Sequence, residues 1–378
     1  MVTVHNKIAG PEEGTQIHWH GFTQRGTPFM DGTPSVSSCP IAPNDTFIYS
    51  FKADLYGTGW YHSHYSGQST GGLIGPMVVH GPSALPYDID LGPVFLNEWY
   101  HKDDLQLIDD ATGVSNGAYW MRSTIANDRA CSYSNQPNAL AAIYYNDANP
   151  NTRPNSTMWP TETDQGLCEN DPLTQTVPLY PIPADLNPSV MQELDFSWTM
   201  NETGHQVWTV NDSGFRANYN HPILDLAASG NTSYPWNPEW NVYNMGQNRT
   251  VRVVMYNNST MYHPMHLHGH NAQILSSGPG YWDGRTIVQS ENPARRDVYQ
   301  LPPNGHLVIQ YVQDNPGVWP LHCHIAWHLS TGMFASMMER AEDIEKMSGE
   351  WKGEMERVCA NWKAYTRNNV VDQVDSGV

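Results

Sequence analysis

Residues 322–328 read His-Cys-His-Ile-Ala-Trp-His and place one cysteine between two histidines. Side chains at positions i and i+2 of a β-strand point to the same face. A strand here would therefore present His322 and His324 on one side and Cys323 on the other. Such a strand would serve two metal sites joined by a few covalent bonds, which suits long-range one-electron transfer.

Three further motifs repeat the spacing of two histidines around one residue. They are His18-Trp19-His20-Gly21, Trp60-Tyr61-His62-Ser63-His64 and His263-Pro264-Met265-His266-Leu267-His268-Gly269-His270. With 17 histidines in 378 residues, about one His-x-His pair is expected by chance. The chain has five, all within these four motifs. Pairs from several strands can enclose a metal cluster, so the motifs predict ligands that converge from distant parts of the chain.

The ligand types indicate copper. A thiolate, two imidazoles and a weak thioether form the blue-copper ligand set, and Cys323, His263, His328 and Met333 can supply it. Zinc is the main alternative. Structural zinc sites often use paired cysteines, and this chain has no Cys-x-x-Cys sequence. A hydrolytic His-Glu-x-x-His motif is also absent, because residues 324–328 contain no glutamate.

The composition favours short strands joined by loops. Gly (30) and Pro (28) are frequent, and only 15% of residues are charged. Alternating or β-branched stretches predict an all-β protein with strands at residues 46–51, 75–80, 206–210, 250–254 and 307–311. One helix is predicted near the end of the chain, from Asp343 to Tyr365.

Charge and processing signals narrow the partners and the compartment. The net charge of −19 makes nucleic acid an unexpected partner, since phosphate binding needs a basic face. No apolar run is long enough for a membrane span. Residues 1–5 lack the features of a signal peptide. Eight N-x-[ST] sequons nevertheless favour secretion; they lie at Asn44, Asn155, Asn201, Asn211, Asn231, Asn248, Asn257 and Asn258.

The four motifs together resemble those of the multicopper oxidases, and most of all the laccases of filamentous ascomycete fungi. The resemblance extends over nearly the whole chain and implies cupredoxin-like Greek-key domains, each a β-sandwich or barrel. It divides the chain into an incomplete first cupredoxin domain (1–82), a shortened middle domain (83–160), a linker (161–190) and a final domain with a helix and tail (191–378).

The resemblance also implies four copper ions and a role for each ligand. Type 1 copper would be held by His263, Cys323 and His328, with Met333 as the axial thioether. Type 2 copper would be held by His18 and His266. The binuclear type 3 site would take His20, His62, His64, His268, His322 and His324. The other seven histidines have no ligand role in this pattern, and His270 is the least certain of them.

Further positions follow from the same resemblance. Asp31 would relay protons near type 2 copper, the alternative being a simple turn residue. Trp327 would line the phenol pocket or belong to the core, and Asp314 would be a turn residue. Residues 375–378 resemble a tail that plugs the channel to the cluster. Disulfides would join Cys39 to Cys359 and Cys131 to Cys168.

The implied activity is oxidation of phenols or related aromatics, coupled to four-electron reduction of O₂ to water, by a protein expected to be monomeric. Cys323, His322 and His324 would carry the electrons. Met333 stands where these laccases usually have leucine, which favours an ascorbate- or metal-oxidising relative as an alternative. The short first and middle domains leave a catalytically inactive copper-binding form as a second alternative.

Overall fold

The computed structural model describes residues 1–9, 13–82, 90, 92–93, 95, 170–232, 237–247, 249–371 and 373–378. Strands dominate these residues, so the predicted all-β class is confirmed. The first part contains β1 (Val2–His5), β2 (Ile17–His20), β3 (Thr46–Tyr49), β4 (Gly57–Ser63) and β5 (Ile74–Val79). The last part contains β6 (Val190–Met200), β7 (Gln206–Val210), β8 (Val242–Asn244), β9 (Thr250–Asn257), β10 (His263–Leu267), β11 (Ala272–Pro279), β12 (Ala294–Arg296), β13 (Val298–Leu301), β14 (Gly305–Val312), β15 (Gly317–Cys323) and β16 (Phe334–Glu339).

The α-helices of the described residues are few and mostly short. They are α1 (Ile223–Ala228), α2 (Ala326–Ser330), α3 (Ala341–Met347) and α4 (Lys352–Thr366). The single helix predicted from Asp343 to Tyr365 is therefore two helices, separated by the 3₁₀ turn Ser348–Glu350. Gly349 lies in this turn, and glycine is a poor former of helix interiors. No helix among the described residues is long and apolar enough to cross a membrane.

The first part of the chain forms a small antiparallel sheet that carries two histidine motifs. Its strand order is β2-β4-β5, and β1 pairs with β3 in a separate ribbon. The register of β2 on β4 sets His18 opposite His62 and His20 opposite Trp60. Two histidine pairs distant in sequence thus lie on neighbouring strands.

The last part is a β-sandwich. A six-stranded sheet, in the order β12-β11-β14-β9-β6-β7, packs on a five-stranded sheet, in the order β13-β10-β15-β16-β8. Their facing side chains form one apolar core, in which Phe196 and Val253 of one sheet join Leu321 and Met337 of the other. Burial of this apolar surface is the main force that holds β10 and β15, the two ligand-bearing strands, in the sandwich.

A second core joins the first part to the last. Trp19 and Phe47 of the first part share it with Phe334 of β16 and with Met355 and Trp362 of α4. The helix α4 packs one face against this core, because its buried residues Met355, Val358 and Trp362 recur at helical spacing. This second core holds the sheet that carries His18, His20, His62 and His64 against the C-terminal sandwich.

A disulfide strengthens the same junction. Cys39 of the first part is bonded to Cys359 of α4, 320 residues away in sequence, as predicted. Cys323 is a free, buried thiol. The predicted partners Cys131 and Cys168 lie outside the described residues, as do nearly all of the predicted middle domain (83–160) and residues 161–169 of the linker (161–190), so these predictions stand as predictions.

The tail, residues 373–378, lies between the two ligand-bearing parts. Asp375 accepts a hydrogen bond from Ser66, which follows the His62-Ser63-His64 motif by two residues. Ser376 donates to the carbonyl oxygen of Leu329 in α2, directly after His328. Burial raises the pKa of Asp375 from 3.8 to about 6, against the opposing effect of the Ser66 hydrogen bond.

Loss of the disulfide is expected to destabilise the junction. Replacing both Cys39 and Cys359 by serine should lower the free energy of unfolding by about 2–5 kcal/mol, because the unfolded chain gains freedom. Urea denaturation of the double variant and of the native protein measures this difference. Reductant should lower the midpoint of the native protein more than that of the double variant, and equal midpoints for both proteins without reductant would contradict the role assigned to the bond.

The tail should bind more strongly in acid. Asp375 has a folded-state pKa above its unfolded value, so its stabilising effect is complete below about pH 4 and is lost as the pH rises through about 6. The loss should reach about 2 kcal/mol between pH 4 and pH 7. Asp375→Asn keeps an acceptor but cannot ionise. Urea denaturation at both pH values should give a stability difference between variant and native protein that changes with pH, and a constant difference would refute the argument.

Candidate metal centre

The predicted ligands converge into four groups of three ligand atoms. Within each group the ligand atoms lie within 4.8 Å of one another. The groups are His18, His20 and His266; His20, His62 and His324; His64, His268 and His322; and His263, Cys323 and His328. The ten predicted histidines and the predicted cysteine are therefore all brought together.

The histidine cluster lies where the first part of the chain meets the sandwich. The register of β10 on β15 sets His266 opposite His322. The rings of His20 and His266 are stacked with centroids 4.1 Å apart, and those of His18 and His268 with centroids 3.9 Å apart. Each of these stacks pairs one residue of the first part with one of the last, so neither part contains the cluster alone.

Hydrogen bonds fix the orientation of the rings. The Nδ1 atom of His18 donates to the carbonyl oxygen of Asp31 (2.8 Å), and that of His266 donates to the carbonyl oxygen of Asp297 (3.0 Å). His322 uses Nδ1 in the same way on the carbonyl oxygen of Cys323 (2.9 Å). With Nδ1 carrying the proton, Nε2 keeps a free lone pair that points into the cluster, which is the usual way that outer hydrogen bonds prepare a histidine for a metal.

Several of the inward nitrogens have no partner. The buried atoms Nε2 of His18, His62, His266 and His324 and Nδ1 of His20 make no hydrogen bond among the described residues. The Nε2 atoms of His64 and His268 lie 3.4 and 3.1 Å from that of His322. Buried polar atoms normally find partners. Unpartnered and converging imidazole nitrogens fit metal ions, and a purely imidazole environment suits copper.

Burial favours the neutral form of the imidazoles in the histidine cluster. Burial, reinforced by the neighbouring imidazoles, lowers the pKa of His20, His62, His64, His266, His268 and His322 well below 6.5. Burial lowers the pKa of His324 to about 4. Metal binding requires neutral imidazole, so these ligands need not lose protons near neutral pH.

The thiol group forms a separate site. Cys323 Sγ lies 3.7 Å from His263 Nδ1 and 3.5 Å from His328 Nδ1, and the two Nδ1 atoms are 3.1 Å apart. Burial raises the pKa of Cys323 to about 12 and lowers those of His263 and His328 to about 2 and about 4. One thiol and two neutral imidazoles fit a blue-copper ion, which would displace the thiol proton on binding.

Two more side chains enclose the thiol site. Met333 is fully buried in the same core as Cys323, and its backbone nitrogen donates to His328. Trp208 packs against the rings of His263 and His328, with centroids 4.7 and 4.8 Å away. The sequence pattern singled out Met333 but gave no signal for Trp208, whose neighbours come from β10 and α2.

Asp31 is more than a turn residue. It is fully buried, and its carboxylate accepts a hydrogen bond from His268 Nδ1 at 3.0 Å. It also lies 3.4 Å from His18 Nδ1 and accepts from Thr33. Asp31 therefore touches histidines of both parts of the chain.

The remaining candidates lie around the cluster. His270 faces Glu339 at 3.2 Å and belongs to none of the four groups. Asp314 lies in the loop between β14 and β15, paired with exposed Arg25. Trp327 lies in α2 and is partly exposed. The carboxylate of Asp297, 3.6 Å from His20, was not singled out because it stands outside any motif.

A cavity of about 720 Å³ opens beside the thiol site. It is lined by residues of the β6–β7 hairpin, by the 212–216 segment, by Ser330 and Thr331, and by the tail. Thr331 donates to the carbonyl oxygen of Trp327 (2.6 Å) and lies 3.3 Å from that of His328, so the cavity reaches within three residues of that ligand. Gln206 and Arg216 are among its polar side chains.

Comparison with known proteins agrees with this geometry. Multicopper oxidase domains match residues 1–84 and 195–343. The chain is 31% identical to Laccase-1 of Botryotinia fuckeliana, covering 100% of this chain and 82% of that protein. It is 30% identical to Laccase-2 of Podospora anserina over 476 aligned positions, covering 97% of this chain and 76% of that protein. Because this chain has 378 residues, at least 98 of those positions (476 − 378) are gaps in it.

Solved structures show the same fold. The laccase from Botrytis aclada superposes with a TM-score of 0.84 at 27% identity, covering all of this chain and 86% of that chain. Fet3p, a multicopper oxidase that functions in iron import, superposes with a TM-score of 0.73 at 21% identity, covering all of this chain and 90% of that chain. The predicted cupredoxin-like architecture is thereby confirmed. With its ligand groups and its fungal laccase relatives, this chain belongs to the multicopper oxidase family of copper-dependent oxidoreductases.

Proposed function

We propose that this protein oxidises phenols or related aromatic donors in single-electron steps and uses the electrons to reduce O₂ to water. The proposal rests on one observation: the thiol site and the histidine groups meet at the end of β15, where Cys323 belongs to the thiol site and His322 and His324 belong to two of the histidine groups. The laccases among its relatives support the aromatic substrate class.

The proposed copper arrangement follows the four groups. His263, Cys323 and His328 would hold type 1 copper, with Met333 as axial ligand, and His18 with His266 would hold type 2 copper. His20, His62 and His324 would hold one type 3 ion, and His64, His268 and His322 the other. Bound copper supplies the redox chemistry, by accepting single electrons from the donor and delivering four to O₂.

The residues of β15 connect the two sites. Cys323 ends the strand, and its neighbours His322 and His324 belong to different groups of the cluster. A short run of backbone and side-chain bonds therefore joins the thiol sulfur to the imidazoles of both groups. We assign the electrons to this path, since covalent bonds conduct electrons better than gaps between packed atoms.

Asp31 is the proposed proton carrier. Its carboxylate is buried between His18 and His268, where the reduction of O₂ consumes protons. The Thr33 hydroxyl and His268 Nδ1 both donate to it, so its oxygens stay directed toward the cluster.

The cavity beside α2 is the proposed donor site. His328 is 8% exposed, whereas His263 is fully buried, so His328 is the ligand nearer to solvent. The cavity reaches its backbone through Thr331, and its mixed polar and apolar lining suits an aromatic alcohol. A second candidate function, oxidation of ascorbate or a metal ion, is favoured by Met333, since an axial thioether is associated with a lower potential. Rates of O₂ uptake with a phenol, ascorbate and Fe(II) separate the two.

Secretion belongs to the same proposal. Asn44, Asn201 and Asn258 are exposed and can carry glycans, whereas Asn257 is buried with its amide engaged by two carbonyl oxygens. The Cys39–Cys359 disulfide agrees with secretion, because disulfides form and persist in oxidising compartments such as the secretory route.

A buried network behind the histidines of β4 positions them. Gln68 accepts hydrogen bonds from the hydroxyls of Thr15 (2.8 Å) and Ser63 (2.7 Å) through Oε1. Its Nε2 donates to the carbonyl oxygen of Gly14 at 2.7 Å. Ser63 stands between His62 and His64, so Gln68 ties the strand that carries both ligands to the segment that leads into β2.

Removal of the thiol tests the type 1 assignment. Cys323→Ser should abolish strong visible absorption in the blue-copper region and O₂ uptake with a phenol, while copper remains bound to the histidine cluster. Visible spectra, copper analysis and oxygen uptake measure the three quantities. A variant that keeps the intense visible band would refute the assignment. Native protein with about four copper ions per chain and no oxygen uptake would refute the activity.

Loss of Gln68 tests the positioning of the histidines. Gln68→Leu should weaken copper binding at the cluster by about 10–100-fold, the usual effect of losing an outer-shell partner, while the visible type 1 band persists. Copper titration monitored by metal analysis measures the affinity.

Gln310→Leu is the matched control. Gln310 is also buried and also accepts two hydrogen bonds through one oxygen, but its donor is Arg252, away from the ligands. Equal copper affinities in the two variants would show that Gln68 acts only on stability.

A further inference from the structure

The nitrogen of His263 that faces away from the thiol is held by a chain of hydrogen bonds. His263 Nδ1 faces Cys323 and His328, so its Nε2 carries the proton. That N–H donates to Ser259 Oγ at 3.0 Å. His263 is fully buried and Ser259 is 6% exposed, so water does not compete for this bond.

The direction of the chain is fixed by Asn257. Its Nδ2 donates to the carbonyl oxygens of Met261 (2.7 Å) and Pro302 (2.9 Å), which leaves Oδ1 as the only group that faces Ser259. Asn257 Oδ1 accepts both the backbone N–H of Ser259 (2.9 Å) and its hydroxyl proton (2.8 Å). The hydroxyl proton is thereby committed to Asn257, and the oxygen lone pair is directed to His263.

His328 has no such support. Its Nδ1 faces the thiol site, and none of the described residues hydrogen-bonds to its Nε2. The two imidazoles of this site therefore differ: one donates to a fixed acceptor inside the protein and the other lies nearer to solvent. A histidine that donates its outer N–H becomes a stronger ligand and stabilises the more highly charged state of its metal.

We infer that Ser259, oriented by Asn257, is a positioning residue that strengthens His263 as a ligand and lowers the reduction potential of the copper held at the thiol site. The inference rests on the proposed function, since it needs copper at His263, Cys323 and His328. It adds a determinant of potential in the β9–β10 loop, at a distance from the axial position of Met333.

The test compares copper-loaded, full-length variants by redox titration of the visible type 1 band. Ser259→Ala removes the acceptor and should raise the midpoint potential and shift the band. Ser259→Thr keeps the hydroxyl and should match the native protein. All proteins are enzymatically deglycosylated first, because Ser259→Ala also removes the sequon at Asn257.

Ser276→Ala is the matched control. Ser276 contacts His306 Nε2 at the same distance of 3.0 Å, is also 6% exposed and lies in the same sandwich, but His306 belongs to no ligand group. A rise in potential for Ser259→Ala alone supports the inference. Equal potentials for Ser259→Ala and Ser276→Ala overturn it. A native protein without the visible band overturns both the inference and the proposed function.

A measurement on the unmutated protein covers the case in which Ser259→Ala does not fold. After transfer to D₂O, pulsed electron paramagnetic resonance of the type 1 copper follows the protons on the outer nitrogens of its two histidines. The proton held by Ser259 should exchange much more slowly than that of His328. Equal and rapid exchange of both protons overturns the inference.

Discussion

The structure depends on burying eight imidazoles at a junction between two parts of the chain. Five of their inward nitrogens have no hydrogen-bond partner among the described residues, and an unsatisfied buried polar group costs roughly 1–3 kcal/mol. Without metal, the cluster therefore opposes the association that creates it. The apolar core around Trp19 and Trp362, the disulfide and the tail act on the same junction in the opposite sense. Stability and metal chemistry are thus coupled at one interface.

Much of the site was predictable because its ligands are encoded by local periodicity. The placement of His322 and Cys323 on opposite faces at the end of β15 follows from the two-residue repeat of a β-strand, and His324 directly follows the strand. The pairing of His18 with His62 follows from the register of neighbouring strands. The five strands predicted by residue number were located to within a few residues, but the other strands of the described residues were not predicted individually. The break at Gly349 was missed because the residues on either side keep a helical pattern.

Other parts were not predictable, since they arise from contacts that no local pattern records. Ser259, Gln68 and Trp208 act on ligands from separate elements, and their roles appear only when distances are known. Asp31 illustrates an intermediate case. Resemblance to a family suggested its role, but a turn aspartate was an equal alternative from sequence, and only its full burial against His268 and His18 distinguishes the two.

The proposed ligands come from two separate ranges of the chain. Every proposed ligand lies in residues 18–64 or 263–333, and the elements that orient them lie in the first part, the sandwich and the tail. At least 98 aligned positions of a laccase have no counterpart here, while the four groups of this chain together use ten histidines and one cysteine. The proposed cluster is built from both outer parts, whereas the proposed donor site is built from the last part and the tail. Differences in substrate among such proteins should accordingly arise around His328 rather than at the histidine cluster.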